Sequence, residues 1–155
     1  MFDLSTRWVP AVLAGVGATV AIGLLAFAPM LDSTWVLLMA PFGATAVIVF
    51  GLPDSPLAQP KNVICGHLIT ATVGLCFLQF WGVNPVSLAL ACGVSVSLML
   101  LTKTTHPPAG ANPLLIMLTG QHWPFLITTV LAGSIVMVLV AHLAKRLNRR
   151  FVRVQ

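Results

Sequence analysis

Six apolar stretches run along the chain, separated by short polar or Pro/Gly-rich breaks. They cover approximately residues 8–30, 35–52, 62–81, 85–102, 107–119 and 123–144. A membrane-spanning helix needs roughly 20 apolar residues, so the first, third and sixth stretches are long enough and the fourth is slightly short. Prolines interrupt the other two, at Pro41 and at Pro107 and Pro108. The pattern therefore predicts short or broken helices for the second and fifth stretches.

Composition places this pattern in a membrane. The chain has 58% hydrophobic and only 7% charged residues, too few charges to cover a water-soluble globule. Helices satisfy their own backbone hydrogen bonds in lipid, so we expect an all-α membrane protein whose residues 1–155 form a single transmembrane domain. The sequence Ala26-Phe27-Ala28 is similar to a signal-peptidase site, but the long apolar run around it favours an ordinary first span.

Basic residues give the predicted orientation. If all six segments cross, every Lys and Arg falls on one side of the membrane: Arg7, Lys61, Lys103, Lys145, Arg146, Arg149, Arg150 and Arg153. The positive-inside rule then places both termini in the cytoplasm, and we expect a multi-pass protein of the cell (inner) membrane. The alternative is four spans plus two re-entrant hairpins, which would move Lys61 and Lys103 outside.

Aromatic residues agree with the proposed segment ends. Tryptophan side chains prefer the headgroup level of a bilayer. All four tryptophans lie at ends of the six segments and none in a middle: Trp8, Trp35, Trp81 and Trp123.

An internal repeat relates the two broken segments. At an offset of 67 residues, Pro41-Phe42-Gly43-Ala44-Thr45 aligns with Pro108-Ala109-Gly110-Ala111-Asn112, and Gly66 aligns with Gly133. The competing explanation is chance, since small residues often match in membrane chains. We predict two three-helix repeats, at about 8–81 and 82–147. With three crossings each, they have opposite orientations, as in transporters whose binding sites lie where broken helices meet.

The broken segments nominate a binding site. A helix that begins at proline directs its next free N–H groups and its positive dipole end outward, an arrangement that attracts anions. The substrate-binding residues predicted on this ground are Gly43, Ala44, Thr45, Gly110, Ala111 and Asn112. Lys103, Thr105 and His106 would add donors at the cytoplasmic mouth, although Lys103 could instead snorkel to headgroups and His106 could cap a helix.

His67 is the deepest ionisable residue of the sequence. Polar side chains at such depth face a bundle interior, where His67 would either take part in proton movement and substrate contact or form a structural hydrogen bond.

Other chemistry has little support in the sequence. No paired carboxylates, H-E-x-x-H motif or P-loop is present, and Cys65, Cys76 and Cys92 lack metal-ligand spacing. We therefore expect no enzyme, no metal and no cofactor. The basic tail at 145–155 predicts contact with anionic lipid headgroups rather than with nucleic acid.

Glycines on the first span suggest self-association. Gly15, Gly17 and Gly23 are possible close-packing positions for a homo-oligomer.

Three motifs also carry a family resemblance. His106-Pro107-Pro108-Ala109-Gly110 resembles the signature of the HPP family of small integral membrane proteins, and the 55–62 and 40–44 stretches resemble two further motifs of that family. The resemblance implies membrane transport, because members from plant plastids and cyanobacteria act as nitrite transporters. The family is usually described with four spans. Asn112-Pro113 and Lys61 depart from its usual pattern, which puts substrate selectivity in doubt if the substrate is read at position 112.

The prediction from the sequence is transport of a small monovalent anion, with nitrite as the first candidate. The alternatives are a channel for anions or small solutes and a membrane scaffold that transports nothing.

Overall fold

The computed structural model describes residues 5–34 and 36–152, and its side chains from 8 to 34 and from 36 to 147. These residues are helical apart from short connections. The helices are α1 (Ser5–Leu31), α2 (Pro41–Gly51), α3 (Pro60–Trp81), α4 (Pro85–Leu101), α5 (Asn112–Thr119) and α6 (Ala132–Val152). Short 3-10 turns cover Pro56–Ala58 and Pro107–Ala111, and a π-helical stretch, Leu126–Leu131, leads into α6.

Helix lengths separate the long spans from the broken segments. Three stretches are long and apolar enough to cross a membrane, Trp8–Leu31, Pro60–Trp81 and Leu126–Leu147. In contrast, α2 has 11 residues and α5 has eight. At 1.5 Å per residue, α2 is only about 16 Å long, half of a hydrocarbon core. The predicted breaks are confirmed, and the helix of the second segment begins at the predicted break, Pro41.

The six helices pack in two equivalent sets. Helix α1 packs on α2 as α4 packs on α5, and α3 contacts α4 and α5 as α6 contacts α1 and α2. The main core lies between these sets and includes Leu25, Phe42, Val63, Ile116 and Met137. Each contact in one set thus has a counterpart in the other.

Two aligned glycines show the same equivalence at atomic scale. A Cβ on Gly66 would lie 2.9 Å from the carbonyl oxygen of Thr104, and one on Gly133 would lie 2.8 Å from that of Leu37. Thr104 and Leu37 are themselves related by the 67-residue offset. In each set, therefore, the long helix α3 or α6 uses glycine to admit the backbone that leads into the broken helix of the same set. The contacts support an internal repeat; the opposite membrane orientation of its halves stays a prediction.

Two contacts between helix ends bear on the number of crossings. Lys145 Nζ near the end of α6 lies 2.8 Å from Asp54 Oδ1 in the α2–α3 loop. Trp123 Nε1, before the π-helical stretch, donates to Gln79 Oε1 near the end of α3 at 2.8 Å. With four spans and two re-entrant hairpins, the partners in each pair would lie on opposite faces of a core about 30 Å thick. The contacts therefore favour six crossings; which face is cytoplasmic stays a prediction.

Residues at the predicted segment ends behave in different ways. Trp8 and Trp81 are exposed at helix ends, as a headgroup position requires. Trp35 lies outside the described residues. Arg153 and the side chains of Arg7, Arg149 and Arg150 also lie outside them, so the predicted lipid contact of the tail stays a prediction.

The glycines of α1 do not share one role. A Cβ on Gly17 would lie 2.6 Å from Phe50 Cδ1, so this glycine packs α1 on α2 within the chain and is not available to a second copy. Gly15 and Gly23 have open space in front of them. These two glycines remain the candidate close-packing positions for a homo-oligomer.

Candidate functional site

Four of the ten predicted site residues come together in the interior. Thr45, His67, His106 and Asn112 are all fully buried, although they come from α2, α3, the segment after α4, and the start of α5. The two broken segments thus meet at one place, against α3, as the repeat predicts. Burial of so many polar groups in an apolar bundle is unfavourable unless each finds a partner.

Thr45 lies between the two imidazoles. Its Oγ1 is 2.9 Å from Nε2 of His67 and 3.0 Å from Nε2 of His106. The same oxygen lies 3.2 Å from the carbonyl oxygen of Pro41, one turn earlier in α2. A threonine hydroxyl has one proton to donate and two lone pairs that accept, so Thr45 can serve both rings at once.

The outer partner of His106 fixes its tautomer. Nδ1 of His106 lies 2.8 Å from the carbonyl oxygen of Leu57, in the 3-10 turn between α2 and α3. Because a carbonyl only accepts, this nitrogen carries the proton. In the neutral ring Nε2 is then an acceptor, and the Thr45 hydroxyl donates to it.

Asn112 fixes the tautomer of His67 in the same way. Its Nδ2 lies 3.0 Å from the carbonyl oxygen of His67, which identifies this end of the amide as the donor. The same NH₂ group lies 3.0 Å from His67 Nδ1 and 3.0 Å from Thr70 Oγ1. Nδ1 of His67 therefore accepts, and its Nε2 carries the proton and donates to Thr45.

Together these bonds form one continuous chain, which we call the polar column: the Leu57 carbonyl, His106, Thr45, His67, Asn112 and Thr70. Every donor along it has an acceptor. One acceptor, Oδ1 of Asn112, has no hydrogen-bond partner among the residues that the structure describes. This free acceptor favours a donor from a ligand or from water.

The column extends from a loop to the middle of a membrane helix. His67 is the eighth residue of α3, about 10 Å from its first residue, and Thr70 lies at the midpoint of its 22 residues. The ring centroid of His67 lies 5.1 Å from those of both Phe42 and His106 in edge-to-face contact. These close contacts hold both imidazoles in fixed orientations.

Two of the backbone N–H groups that were predicted to be free, those of Gly43 and Asn112, are engaged. The N–H of Gly43 donates to Ala40 O at 3.0 Å, and that of Ala109 donates to His106 O at 3.0 Å. The N–H of Asn112 donates to Ala109 O. Tight first turns thus use the N–H groups of Gly43 and Asn112 that were expected to be free for an anion. The polar chemistry of this site comes from side chains instead.

The other predicted residues surround the column without joining it. Ala44 and Ala111 are exposed and line an open groove of about 680 Å³ between α2 and the Pro107–Leu115 segment. The groove is apolar, and its lining residues Ala44 and Pro41 lie one residue and one helical turn before Thr45 in α2. Gly43 is exposed and Gly110 is half-buried.

The residues predicted to form the cytoplasmic mouth differ in their exposure to solvent. Lys103 is exposed, with φ of 54°, at the end of α4. Thr105 is half-buried, and its carbonyl accepts from Nδ2 of Asn62 at 2.9 Å. Asn62 therefore anchors this segment to α3. Gln59, the residue before α3, makes no side-chain cap bond and donates to Ser55 O.

Two members of the column were not predicted. Thr70 lies three residues after His67, on the same face of α3, so helical spacing could have identified it. The Leu57 carbonyl is a backbone group, and no side-chain pattern in the sequence indicates it.

Metal binding has no support in the described part of the chain, where no group of three His, Cys, Asp or Glu side chains could hold an ion. All three cysteines are free thiols.

Comparisons with known proteins agree with a membrane assignment. The family model for the HPP transmembrane region matches residues 4–152. A transmembrane protein of Dictyostelium discoideum is 36% identical over 146 residues, which cover 89% of this chain and 51% of that protein. A second transmembrane protein of the same organism is 34% identical over 137 residues, covering 83% of this chain and 44% of that protein. The chain thus spans about half the length of these relatives. No solved structure matches it.

Proposed function

The chain belongs to the HPP family of integral membrane proteins, and on that premise we propose that it transports a small monovalent anion through the polar column, with nitrite as the first candidate. The observation that carries this proposal is the position of Thr45 between His67 and His106, at the meeting point of two broken helices.

The cost of the column argues for a function. Four fully buried polar side chains replace apolar packing in the bundle interior. Polar and ionisable groups inside membranes are rare and mark substrate and ion pathways. A purely structural network would also be expected to satisfy all of its members, whereas Asn112 Oδ1 is left without a partner in the described chain.

The chemistry of the column suits a small anion that binds weakly. None of its side chains is acidic, so no fixed negative charge in it repels an anion. Its donors are neutral hydroxyl, amide and imidazole groups that already bond within the column, so an anion would replace one of those bonds and bind weakly enough to be released.

Uptake by purified protein in liposomes tests the proposal. We expect nitrite to enter faster than in empty vesicles, and the comparison with nitrate, formate, bicarbonate and chloride defines the selectivity. Counterflow and saturation would identify a carrier, and their absence a channel. If none of these anions enters above the empty-vesicle rate, the proposal is wrong and a scaffold becomes the better reading.

A matched pair of variants links uptake to the column. Thr45→Val keeps the shape of the side chain but removes the hydroxyl shared by both rings, and we expect a rate loss of at least about tenfold, equivalent to one hydrogen bond. Thr72→Val removes a half-buried hydroxyl that bonds only to Leu68 O within α3, so uptake should be unchanged. Equal rates in the two variants would contradict a role for the column.

A further inference from the structure

We propose that the polar column takes up one proton with each anion and that the proton resides on Nε2 of His106. This inference rests on the proposed transport function and specifies its coupling ion. It follows from the partners of Thr45, His67 and His106.

The Thr45 hydroxyl has two possible acceptors, and this choice allows His106 Nε2 to bind a proton. In the neutral column it donates to His106 Nε2, at 3.0 Å. The carbonyl oxygen of Pro41 lies 3.2 Å from the same hydroxyl. When the hydroxyl hydrogen of Thr45 turns about the Cβ–Oγ1 bond from His106 to Pro41 O, a lone pair of Oγ1 faces His106. The protonated Nε2–H of His106 can then donate to that lone pair.

After that rotation every bond of the column is still made. His106 donates through Nδ1 to Leu57 O and through Nε2 to Thr45. Thr45 accepts from both rings and donates to Pro41 O. No side chain has to change rotamer, so the column has two complete hydrogen-bond patterns that differ by one proton.

His67 cannot take the proton in the same way. Its Nε2 already carries a hydrogen, and its Nδ1 faces the NH₂ group of Asn112 at 3.0 Å. The carbonyl oxygen of His67 holds that amide in place, also at 3.0 Å. A proton on Nδ1 would set two donors against each other, so the column accepts its proton at His106.

The surroundings of His106 supply no counter-charge. Helix α2 and the 56–58 turn contribute no titratable side chain, and α4 contributes the thiol of Cys92, which lies near Gly110 O. On α3, His67 contacts the ring, Lys61 is exposed and Cys65 is half-buried; Lys103, on the segment of His106 itself, is also exposed. No carboxylate is hydrogen-bonded to His106 in the described chain.

A positive charge at His106 is therefore balanced by the transported anion. Loading is a proton transfer: the acid HA, or hydronium with A⁻, loses its O–H bond as the N–H bond forms on His106. Release reverses the step, and the anion leaves with its proton. The two charges cancel, so the complete cycle moves no net charge.

The test measures nitrite and proton movement together in proteoliposomes. Pyranine inside the vesicles reports proton uptake, and a potassium gradient with valinomycin sets the membrane potential. After subtraction of empty vesicles, we expect about one proton per nitrite and accumulation that does not change with potential. Movement of the anion alone would change its accumulation about fifty-fold for 100 mV, so this response would overturn the coupling.

The outcomes separate the two proposals. Nitrite uptake that follows the membrane potential and carries no proton would contradict the proton coupling but leave the proposal of anion transport intact. No nitrite uptake above that of empty vesicles would contradict both proposals.

Two variants locate the proton. His106→Gln retains hydrogen-bonding groups but cannot be protonated, so we expect proton uptake with nitrite to fall at least tenfold. His142→Gln, at an exposed position of α6, should leave it unchanged. Retained coupling in His106→Gln overturns the assignment. If that variant does not fold, the potential measurement on the natural chain still decides whether a proton is coupled.

Discussion

The residues that follow the two aligned glycines differ in chemistry while their packing is the same. Gly66 and Gly133 each admit a backbone carbonyl at equivalent positions. Gly66 is followed by His67 on α3, which joins the polar column. Gly133 is followed by Ser134 on α6, whose Oγ donates to Leu131 O, at the end of the adjoining π-helical stretch, at 2.9 Å. One helix contributes to the network between segments, and its counterpart does not.

The segments that lead into the broken helices show the same contrast. Residues 103–106 read Lys-Thr-Thr-His, whereas the aligned residues 36–39 read Val-Leu-Leu-Met. His106 thus corresponds to Met39, and both are buried. The two halves therefore share their packing but not their chemistry. In each of these two aligned pairs, only one member is titratable, namely His67 in one and His106 in the other.

The largest expected effect concerns the shared frame. Gly133→Ala would place a Cβ 2.8 Å from Leu37 O and 2.3 Å from Phe42 Cε2, and Gly66→Ala would place one 2.9 Å from Thr104 O. Overpacking of this kind should lower the free energy of unfolding by about 3 kcal/mol in both variants. SDS titration of the purified proteins would measure it. Gly93→Ala on α4, with open space around it, is the control and should be neutral or stabilising. A loss at only one of the two aligned glycines would contradict equivalent packing.

The next largest effect is expected from a substitution that removes the chemical difference between the two aligned positions. His67→Ser gives α3 the residue that α6 has, and it deprives Thr45 and the Asn112 amide of a partner. We expect uptake to fall at least tenfold and the free energy of unfolding to fall by about 2 kcal/mol. Ser134→Ala, the matched change in α6, should cost under about 1 kcal/mol and leave uptake intact. The same liposome assay and SDS titration measure both variants, and an equal loss of uptake would show that the halves share the chemistry after all.

A smaller effect is expected at the anchors of the two leading segments. Asn62 donates to Thr105 O, and Thr129 donates to Val36 O in the other set. Asn62→Ala and Thr129→Ala should each reduce the free energy of unfolding by about 1 kcal/mol, the value of a single hydrogen bond. The SDS midpoints should shift in the same direction, and Thr19→Ala, whose hydroxyl bonds to Gly15 O within an exposed part of α1, provides the baseline. If neither substitution shifts the SDS midpoint, the equivalence of the two sets is limited to the packing of the aligned glycines.

The smallest energetic effect concerns the ends of the bundle. Lys145 pairs with Asp54, which is 84% exposed, so Lys145→Ala should cost less than about 1 kcal/mol. The pair is more useful as a marker of sidedness. In a variant without natural cysteines, Gln59→Cys and Arg146→Cys should react with an impermeant maleimide from one face, and Ser33→Cys and Asn84→Cys from the other. Labelling of positions 59 and 146 from opposite faces would contradict six crossings.

Much of the fold follows from the sequence because lipid imposes simple rules. Apolar length and proline positions predicted all six helical segments and both breaks. Hydropathy alone extended the second segment back to residue 35, because residues 36–39 are as apolar as a helix, but the proline at 41 marked where α2 begins.

The site was predicted less completely, for a physical reason. The repeat identified Thr45 and Asn112, and depth identified His67, because those signals are local. The N–H groups of Gly43 and Asn112 were expected to be free, but tight first turns satisfy them, and sequence does not distinguish such turns from open helix ends. The Leu57 carbonyl and the pairing of Asn62 with Thr105 depend on tertiary packing, which no local pattern reveals.

The backbone at Lys103 separates the needs of the turn from those of the charge. Its φ of 54° is left-handed, and the bond from Thr104 N to Met99 O closes α4 in the form that glycine normally completes. This conformation costs a lysine about 1 kcal/mol, whereas glycine adopts it freely. Lys103→Gly should therefore stabilise the turn while it removes the charge, so a loss of uptake in a more stable protein would assign a role to the charge alone.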